Sequence, residues 1–398
     1  MATTEPIQFN PLRPEVIEDP YPLYHRLRAE DPVHQHPTGM WVLSRYDDVS
    51  GLLRDPRFGR QGFEEIISAR FGGPGLGHSM LLQDPPDHTR LRALVSKAFT
   101  PRVIEGLRGQ IQQMVDGLID AAARRGEMEL ITDLAYPLPV SVICEMVGVP
   151  PADRDLFRQW SYDIARSFDA IVVPVPEVIA RANAAGDAIG AYFHDLVAER
   201  RRAPRADLLS ALIAVEEAGD RLSTEELFAT AVLLFIAGHE TTANLIGNGV
   251  LALLRHPAEL QRLREDPALI QSAVEELLRY DSPVQRVSRI TNEDVAIGDR
   301  LIPSGSLVLA LLGSANRDPV HFAEPDRLDV TRQDNRHLAF GWGIHFCLGA
   351  PLARLEGQIA IGTLLRRLPR LTLATEQVEW RQTFTLRGLM ALRVRFRI

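Results

Sequence analysis

One run in this sequence, residues 223–255, constrains the fold more than any other, because it must be helical and must be buried. Ser223 followed three residues later by Glu226 is a capping-box start, in which hydroxyl and carboxylate each accept from a backbone N–H at the helix end. Pro257 closes the run. Some 30 residues at 1.5 Å each span ~45 Å, enough to cross a whole domain. Residues 227–237 are apolar on nearly every face, so this helix belongs inside protein rather than on a surface.

The remaining pattern fits a helical body around that element. From Pro101 to Pro283, Leu, Ile, Val and Ala recur at three- and four-residue intervals, broken by prolines. The first hundred residues mix a strand-like piece, 41–44, with helical pieces, 21–30 and 46–54; the glycine-rich stretch 71–78 reads as a mobile loop. After Pro283 come short β-prone pieces at 295–297, 301–302 and 307–309, a helix over about 351–368, and strand-like patches around Thr383 and at 392–398. No repeat or low-complexity linker marks a boundary, so residues 1–398 are expected to form a single domain, mainly α with a minor β region.

Composition removes several functions. Forty-four basic against fifty-two acidic residues give a net charge of −8, the wrong sign for a nucleic-acid binder. The two cysteines, Cys144 and Cys347, allow neither a disulfide framework nor a CxxC metal site and suit a reducing cytosol. With no charged-then-apolar start and no apolar run read as reaching the roughly 20 residues of a membrane span, the expectation is a soluble cytoplasmic protein without membrane partners.

Two constellations could carry chemistry. In Gly238-His239-Glu240-Thr241-Thr242-Ala243 a zinc-hydrolase reading fails, because the second histidine it needs four residues on is Ala243. What remains is a carboxylate and a hydroxyl in apolar surroundings. Thr241 can simply bond back to the carbonyl of Ala237, and Glu240 can be a paired structural acid; with Gly238 weakening the helix, the same residues also suit proton delivery. In Phe340-Gly341-Trp342-Gly343-Ile344-His345-Phe346-Cys347-Leu348-Gly349, the cysteine is either a small buried hydrophobe or, just ahead of a helix N-terminus whose partial positive charge favours a thiolate, a metal ligand.

The second constellation, Phe340-x-x-Gly343-x-His345-x-Cys347-x-Gly349, resembles the haem-binding signature of the cytochrome P450 family. Other marks of that family follow in order: Ala237-Gly238-x-Glu240-Thr241-Thr242 is similar to its oxygen-activation motif, Glu276-x-x-Arg279 to its Glu-x-x-Arg pair, and Pro325-Asp326-Arg327 to the segment whose arginine joins that pair. The similarity runs from about Pro20 to the C-terminus and is nearest to the soluble bacterial branch.

The resemblance implies a P450-like fold with haem b between the long helix and the cysteine loop, and a monooxygenase that hydroxylates or epoxidises a largely hydrophobic small molecule, such as an intermediate of secondary metabolism, with O2 as co-substrate. Cys347 would be the proximal iron ligand. His88, Arg92, Arg289 and His345 would meet the propionates, and Ala237, Phe340 and Gly349 the macrocycle. Thr241 would donate to bound dioxygen and Glu240 relay protons. Glu276, Arg279 and Arg327 would form a buried structural network. Substrate contacts would come from residues 79–82 (Leu82 among them), Leu233 and Ala237, residues 284–288 (Val284 and Val287 among them), and Phe384. Electrons, ultimately from NAD(P)H, would arrive through a ferredoxin or flavodoxin and its reductase, docking on a basic face of Arg90, Lys97, Arg102 and Arg354. A peroxide-driven peroxygenase and a non-catalytic haem sensor are the competing functions; an intact Glu240-Thr241 pair is unnecessary for either.

Overall fold

The computed structural model describes residues 7–60, 62–63, 77–170, 172–215 and 222–396. The expected mobile loop lies, over 71–76, outside the described residues.

The long run is a helix from Thr224 to Arg255, and its start is the capping box read from the sequence: Glu226 N–H donates to the Ser223 hydroxyl at 3.2 Å, and Ser223 N–H to the Glu226 carboxylate at 2.8 Å. By length and composition this helix could cross a membrane, contrary to the expectation that no run reaches that length. Most of its apolar stretch is instead covered by protein. Helices Pro137–Val147, Ile270–Tyr280 and Ala350–Arg367 pack along it, and the pair Leu156–Ser167 and Pro176–Arg202 covers its N-terminal half. Their inward Leu, Ile, Val and Phe side chains form one continuous core. Burying such side chains stabilises by about 1.5–3 kcal/mol each.

Gly238 does not interrupt the helix, which is regular through residues 224–255. A Cβ there would lie 2.9 Å from Ile143 Cδ1, so the glycine lets Pro137–Val147 approach. The weak spot inferred from sequence is therefore a packing site.

Beside the helices lies a five-stranded sheet that joins the first sixty residues to a later segment: β1 (Val33–Gln35), β2 (Trp41–Leu43), β3 (Phe58–Gly59), β4 (Arg286–Thr291) and β5 (Leu307–Leu311), in the order β1-β2-β5-β4-β3. Only β2 and β5 pair in parallel. Side chains alternate between faces: Trp41, Leu43, Val308 and Ala310 pack into one cluster, Val42, Leu309 and Leu311 into another. Apolar layers cover both faces, which explains why these strands read as unbroken hydrophobic runs.

Small sheets complete the β region. Arg393–Arg395 pairs with Glu127–Glu129 and Thr372–Leu373, and Glu379–Trp380 pairs with Leu389–Ala391. Thr383 is not in a strand as expected; its hydroxyl donates to Leu386 O, closing the turn of a short hairpin.

Candidate active site

The cysteine loop is set by its glycines. Gly341 and Gly343 have φ of 69° and 68°, a region closed to most side chains. Any Cβ on Gly343 would also collide with the carbonyl oxygen of Leu53. The loop closes with Cys347 N–H donating to Phe340 O at 2.9 Å, and Gly349 caps the helix Ala350–Arg367. Cys347 keeps its exposed surface for a cavity that it lines. Burial pushes its thiol up, while the Gly349 and Ala350 N–H groups, Arg92 and Arg354 favour the thiolate.

Across the cavity stands the central helix, presenting Leu233, Ala237, Thr241 and Leu245. Val284 and Val287 form a third wall, so of the proposed substrate contacts Leu233, Ala237, Val284 and Val287 meet here. Leu82 and Phe384 do not. Met80 and Leu81 line the cavity in place of Leu82, which packs beside Phe63 and Ile290. Phe384 packs edge-on against Phe9, 5.7 Å between centroids, in the N-terminal cluster.

One rim is strongly cationic. His88, Arg92, Arg289 and His345 converge there, joined by Arg60, which carries no motif and directly follows β3. The His88 and His345 rings are 4.3 Å apart. His88, Arg289 and Arg60 are buried, and both ring nitrogens of His88 and Nε of Arg60 have no hydrogen-bond partner among the described residues. Burial pushes Arg289 down to about 10 against the pull of Asp84; it lowers Arg60 as well, with Arg289 adding to the effect. His345 is driven to about 2 by burial and by Arg60, Arg289, His88 and Arg92. Such a cluster is costly alone and suits a ligand bringing two negative charges. A thiol-bearing loop, an apolar cavity and a rim with three arginines together fit a haem.

Thr241 and Glu240 are used differently. The Thr241 hydroxyl donates to Ala237 O at 3.1 Å. Glu240 is buried beside the cavity rather than in its lining, and accepts from Arg381 Nη1 at 2.5 Å. Arg381 comes from the C-terminal hairpin 141 residues away and carried no motif.

A family model described as cytochrome P450 matches residues 32–393. The chain belongs to the cytochrome P450 family. It is 47% identical to cytochrome P450 107B1 of Saccharopolyspora erythraea, with 95% of each chain covered. It is 46% identical to a vitamin D(3) 25-hydroxylase of Pseudonocardia autotrophica, covering 95% of this chain and 94% of that one. Among solved structures, the myxobacterial P450 CYP267B1 in complex with myristic acid superimposes with a TM-score of 0.91 at 45% identity, covering 98% of this chain and 99% of the other. This P450 is thus a haem-dependent monooxygenase acting on small molecules, and membership implies a haem with a cysteine thiolate ligand and O2 as co-substrate.

Behind the cysteine loop of this P450, Glu276 and Arg279 are fully buried and doubly bonded, Nε to Oε2 at 2.7 Å and Nη2 to Oε1 at 2.8 Å. The expected third member, Arg327, does not join them through its side chain, which turns to solvent and bonds Glu324. Arg327 contributes its carbonyl, which accepts from Arg279 and Arg332. The guanidinium that reaches Glu276 belongs to Arg332, beyond the turn that buries Leu328 and Val330.

Two of the four proposed docking cations are already engaged. Arg354 bonds Glu275 at 2.6 and 2.8 Å, and Arg90 pairs with Glu226. Lys97 and Arg102 are exposed.

Proposed function

We propose that this P450 inserts one oxygen atom of O2 into a largely apolar small molecule, with electrons from a separate ferredoxin or flavodoxin and its reductase, ultimately from NAD(P)H, in the cytoplasm. The observation that carries this reading is the opposition of Cys347 and Thr241 across one apolar cavity with a cationic rim.

Cys347 would ligate the iron, Arg60, Arg92 and Arg289 would neutralise the propionates, and His88 and His345 would donate hydrogen bonds to them. Phe340, Gly349 and Ala237, which line the same cavity, would pack against the haem. When bound, the haem supplies the iron at which dioxygen is activated, and an anionic sulfur favours cleavage of the O–O bond. The chain supplies protons and excludes water. Rotated from Ala237 O, the Thr241 hydroxyl can donate into the cavity; Glu240, one residue before it, is a buried carboxyl that would relay a proton to replace the one given. Leu233, Val284 and Val287 would hold the substrate's carbon skeleton by area rather than by hydrogen bonds, as expected of a site for an apolar molecule. The myristic acid and vitamin D3 named for two similar proteins are apolar in the same sense.

Docking of an acidic electron donor would fall to Lys97, in the turn after the helix Asp87–Ser96, and Arg102, in the following helix Pro101–Gly106, with Arg90 and Arg354 available only by leaving their carboxylates.

The test is reconstitution with a ferredoxin and its reductase, using myristic acid and vitamin D3 as spin-shift probes. Thr241→Ala should divert most reducing equivalents to peroxide while leaving probe binding intact. Unchanged product per NAD(P)H would remove Thr241 from proton delivery. Cys347→Ala should abolish the red-shifted Soret band of the reduced carbonyl complex; its survival would reject Cys347 as ligand.

A further inference from the structure

The C-terminal hairpin between residues 381 and 388 touches three parts of the molecule that proton delivery and substrate binding involve. Its neck is closed by Arg381 N–H donating to Gly388 O at 2.9 Å, and its turn by the Thr383 hydroxyl donating to Leu386 O at 2.6 Å. From the neck, Arg381 reaches Glu240 on the central helix at 2.5 Å. Further along that helix, Asn248 donates to Arg387 O at 3.0 Å, and Gly388 lies against Asn244 with no room for a Cβ. Glu240, Asn244 and Asn248 recur every four residues, so one polar stripe of an otherwise apolar helix faces this hairpin.

The hairpin is also joined to the cavity wall. Arg387 N–H donates to Pro283 O at 2.8 Å, Gln285 N–H to Thr385 O at 2.9 Å, and Val284 bridges Leu386. Pro283 and Val284 line the cavity. Anything that presses on Val284 therefore presses on the hairpin.

The tip is braced from a third side. Asp169, buried in the connection between helices Leu156–Ser167 and Pro176–Arg202, accepts from the N–H groups of Phe384 and Thr385 at 2.7 and 2.8 Å and from the Thr385 hydroxyl at 2.5 Å. Arg286 holds the same connection, donating to Phe168 O at 2.5 Å with Asp169 3.8 Å away. In β4 the side chains alternate, so Val287 and Arg289 face the cavity while Arg286 and Ser288 face this brace.

We propose that this hairpin transmits occupancy of the substrate cavity to the Glu240 carboxylate, with Arg381 as the positioning residue for Glu240 and Asp169 as the brace that fixes the hairpin tip. Arg381 bonded to Glu240 holds the acid away from Thr241. A substrate pressing on Val284 displaces the hairpin against the Asp169 brace and changes the Arg381–Glu240 contact, so that proton delivery is matched to a filled cavity. The inference rests on the proton-relay role given to Glu240 above.

The test uses the reconstituted holoenzyme with myristic acid as occupant, reading peroxide per NAD(P)H and the solvent deuterium isotope effect on turnover. In the wild type, myristic acid should lower the peroxide share. Asp169→Ala and the milder Thr385→Val should each cut that occupant-dependent change by about threefold, within the range that residues along a coupling network alter. Arg381→Ala should change the solvent isotope effect and Arg381→Lys should restore it, which a merely structural arginine would not do. If Glu240→Gln leaks peroxide while Asp169→Ala and Thr385→Val keep the wild-type response, the hairpin coupling is wrong and the Glu240 role stands. If Glu240→Gln behaves as wild type, the relay role of Glu240 fails and the coupling with it.

Discussion

Arg332 brings its Nε to within 3.1 Å of Glu276 Oε2, giving a fully buried carboxylate its second guanidinium. The first is Arg279, and Asp329 N–H and Asn335 Nδ2 add donors at 2.9 and 3.1 Å. Arg279 in turn bonds the carbonyls of Asn316, Pro325 and Arg327. The cluster thus ties the helix Ile270–Tyr280 to the stretch 316–335 that leads into the cysteine loop.

Two arginine substitutions separate this arrangement from the one expected of Arg327. Arg332→Ala removes a donor from a buried charge and should cost roughly 1–3 kcal/mol. Arg327→Ala removes a side chain that is 53% exposed and should stay within about 0.5 kcal/mol. Glu276→Ala strands Arg279 and should cost about 3–5 kcal/mol, with haem loss. Urea midpoints of the three variants order the effects, and a larger loss for Arg327 than for Arg332 would reverse the assignment.

Why the sequence misplaced that arginine shows what local pattern can carry. The capping box at Ser223, the helix Ala350–Arg367 and the glycine turns of the cysteine loop are set by neighbours in sequence, so they could be read directly, whereas the contact of Gly343 with Leu53 could not. Arg332, Arg381 and Arg60 owe their roles to partners brought together by the fold, 56 residues away for Arg332 and 141 for Arg381. Nothing around them in the chain differs from an exposed arginine. Phe384 failed for a related reason: its apolar side chain suits a substrate wall and a core cluster equally, and only the pairing of its hairpin with residues 283–285 decides for the core.

The two loop glycines should respond differently to a methyl group. Both have positive φ, which alone costs an alanine about 1 kcal/mol. Gly341→Ala meets its nearest heavy atom only at 3.9 Å and should express, bind haem and lose little more than that. Gly343→Ala also meets backbone at Leu53, which cannot swing aside as a side chain can, and should fail to retain haem. Absorbance at the Soret maximum per protein, measured after gel filtration, distinguishes the two. Equal haem content would show that the Leu53 contact does not set the loop.

The cationic rim predicts opposite effects of one substitution on two states. Arg60 lowers His345 more than any other charged group does, and is itself pushed down by burial and Arg289. Arg60→Leu should therefore leave the haem-free protein as stable as wild type or more so, since it removes a buried charge that Asp84 only partly offsets. With haem bound it should weaken retention, because a propionate loses a partner. Melting of the apoprotein and haem transfer to apomyoglobin measure the two separately, and a destabilised apoprotein with unchanged haem transfer would contradict the role of Arg60.

Glu275 gives a dependence on pH with a definite sign. Burial pushes this carboxyl up, but hydrogen bonds from His337 and Arg354 outweigh it and bring it from 4.5 to about 2. A carboxylate held below its unfolded value stabilises the fold fully above that value, and the contribution disappears as pH falls from about 4.5 to about 2. With the side chain 27% exposed, its worth at neutral pH is up to about 3 kcal/mol. Glu275→Gln should therefore be less stable than wild type at pH 7, and the difference should shrink steadily below pH 4.5. Arg354 lies over the Phe340 ring at 4.5 Å, so the same variant loosens the base of the cysteine loop. Urea unfolding of both proteins from pH 7 to pH 3 measures the difference directly; parallel curves across that range would mean that Glu275 titrates alike in the folded and unfolded chain.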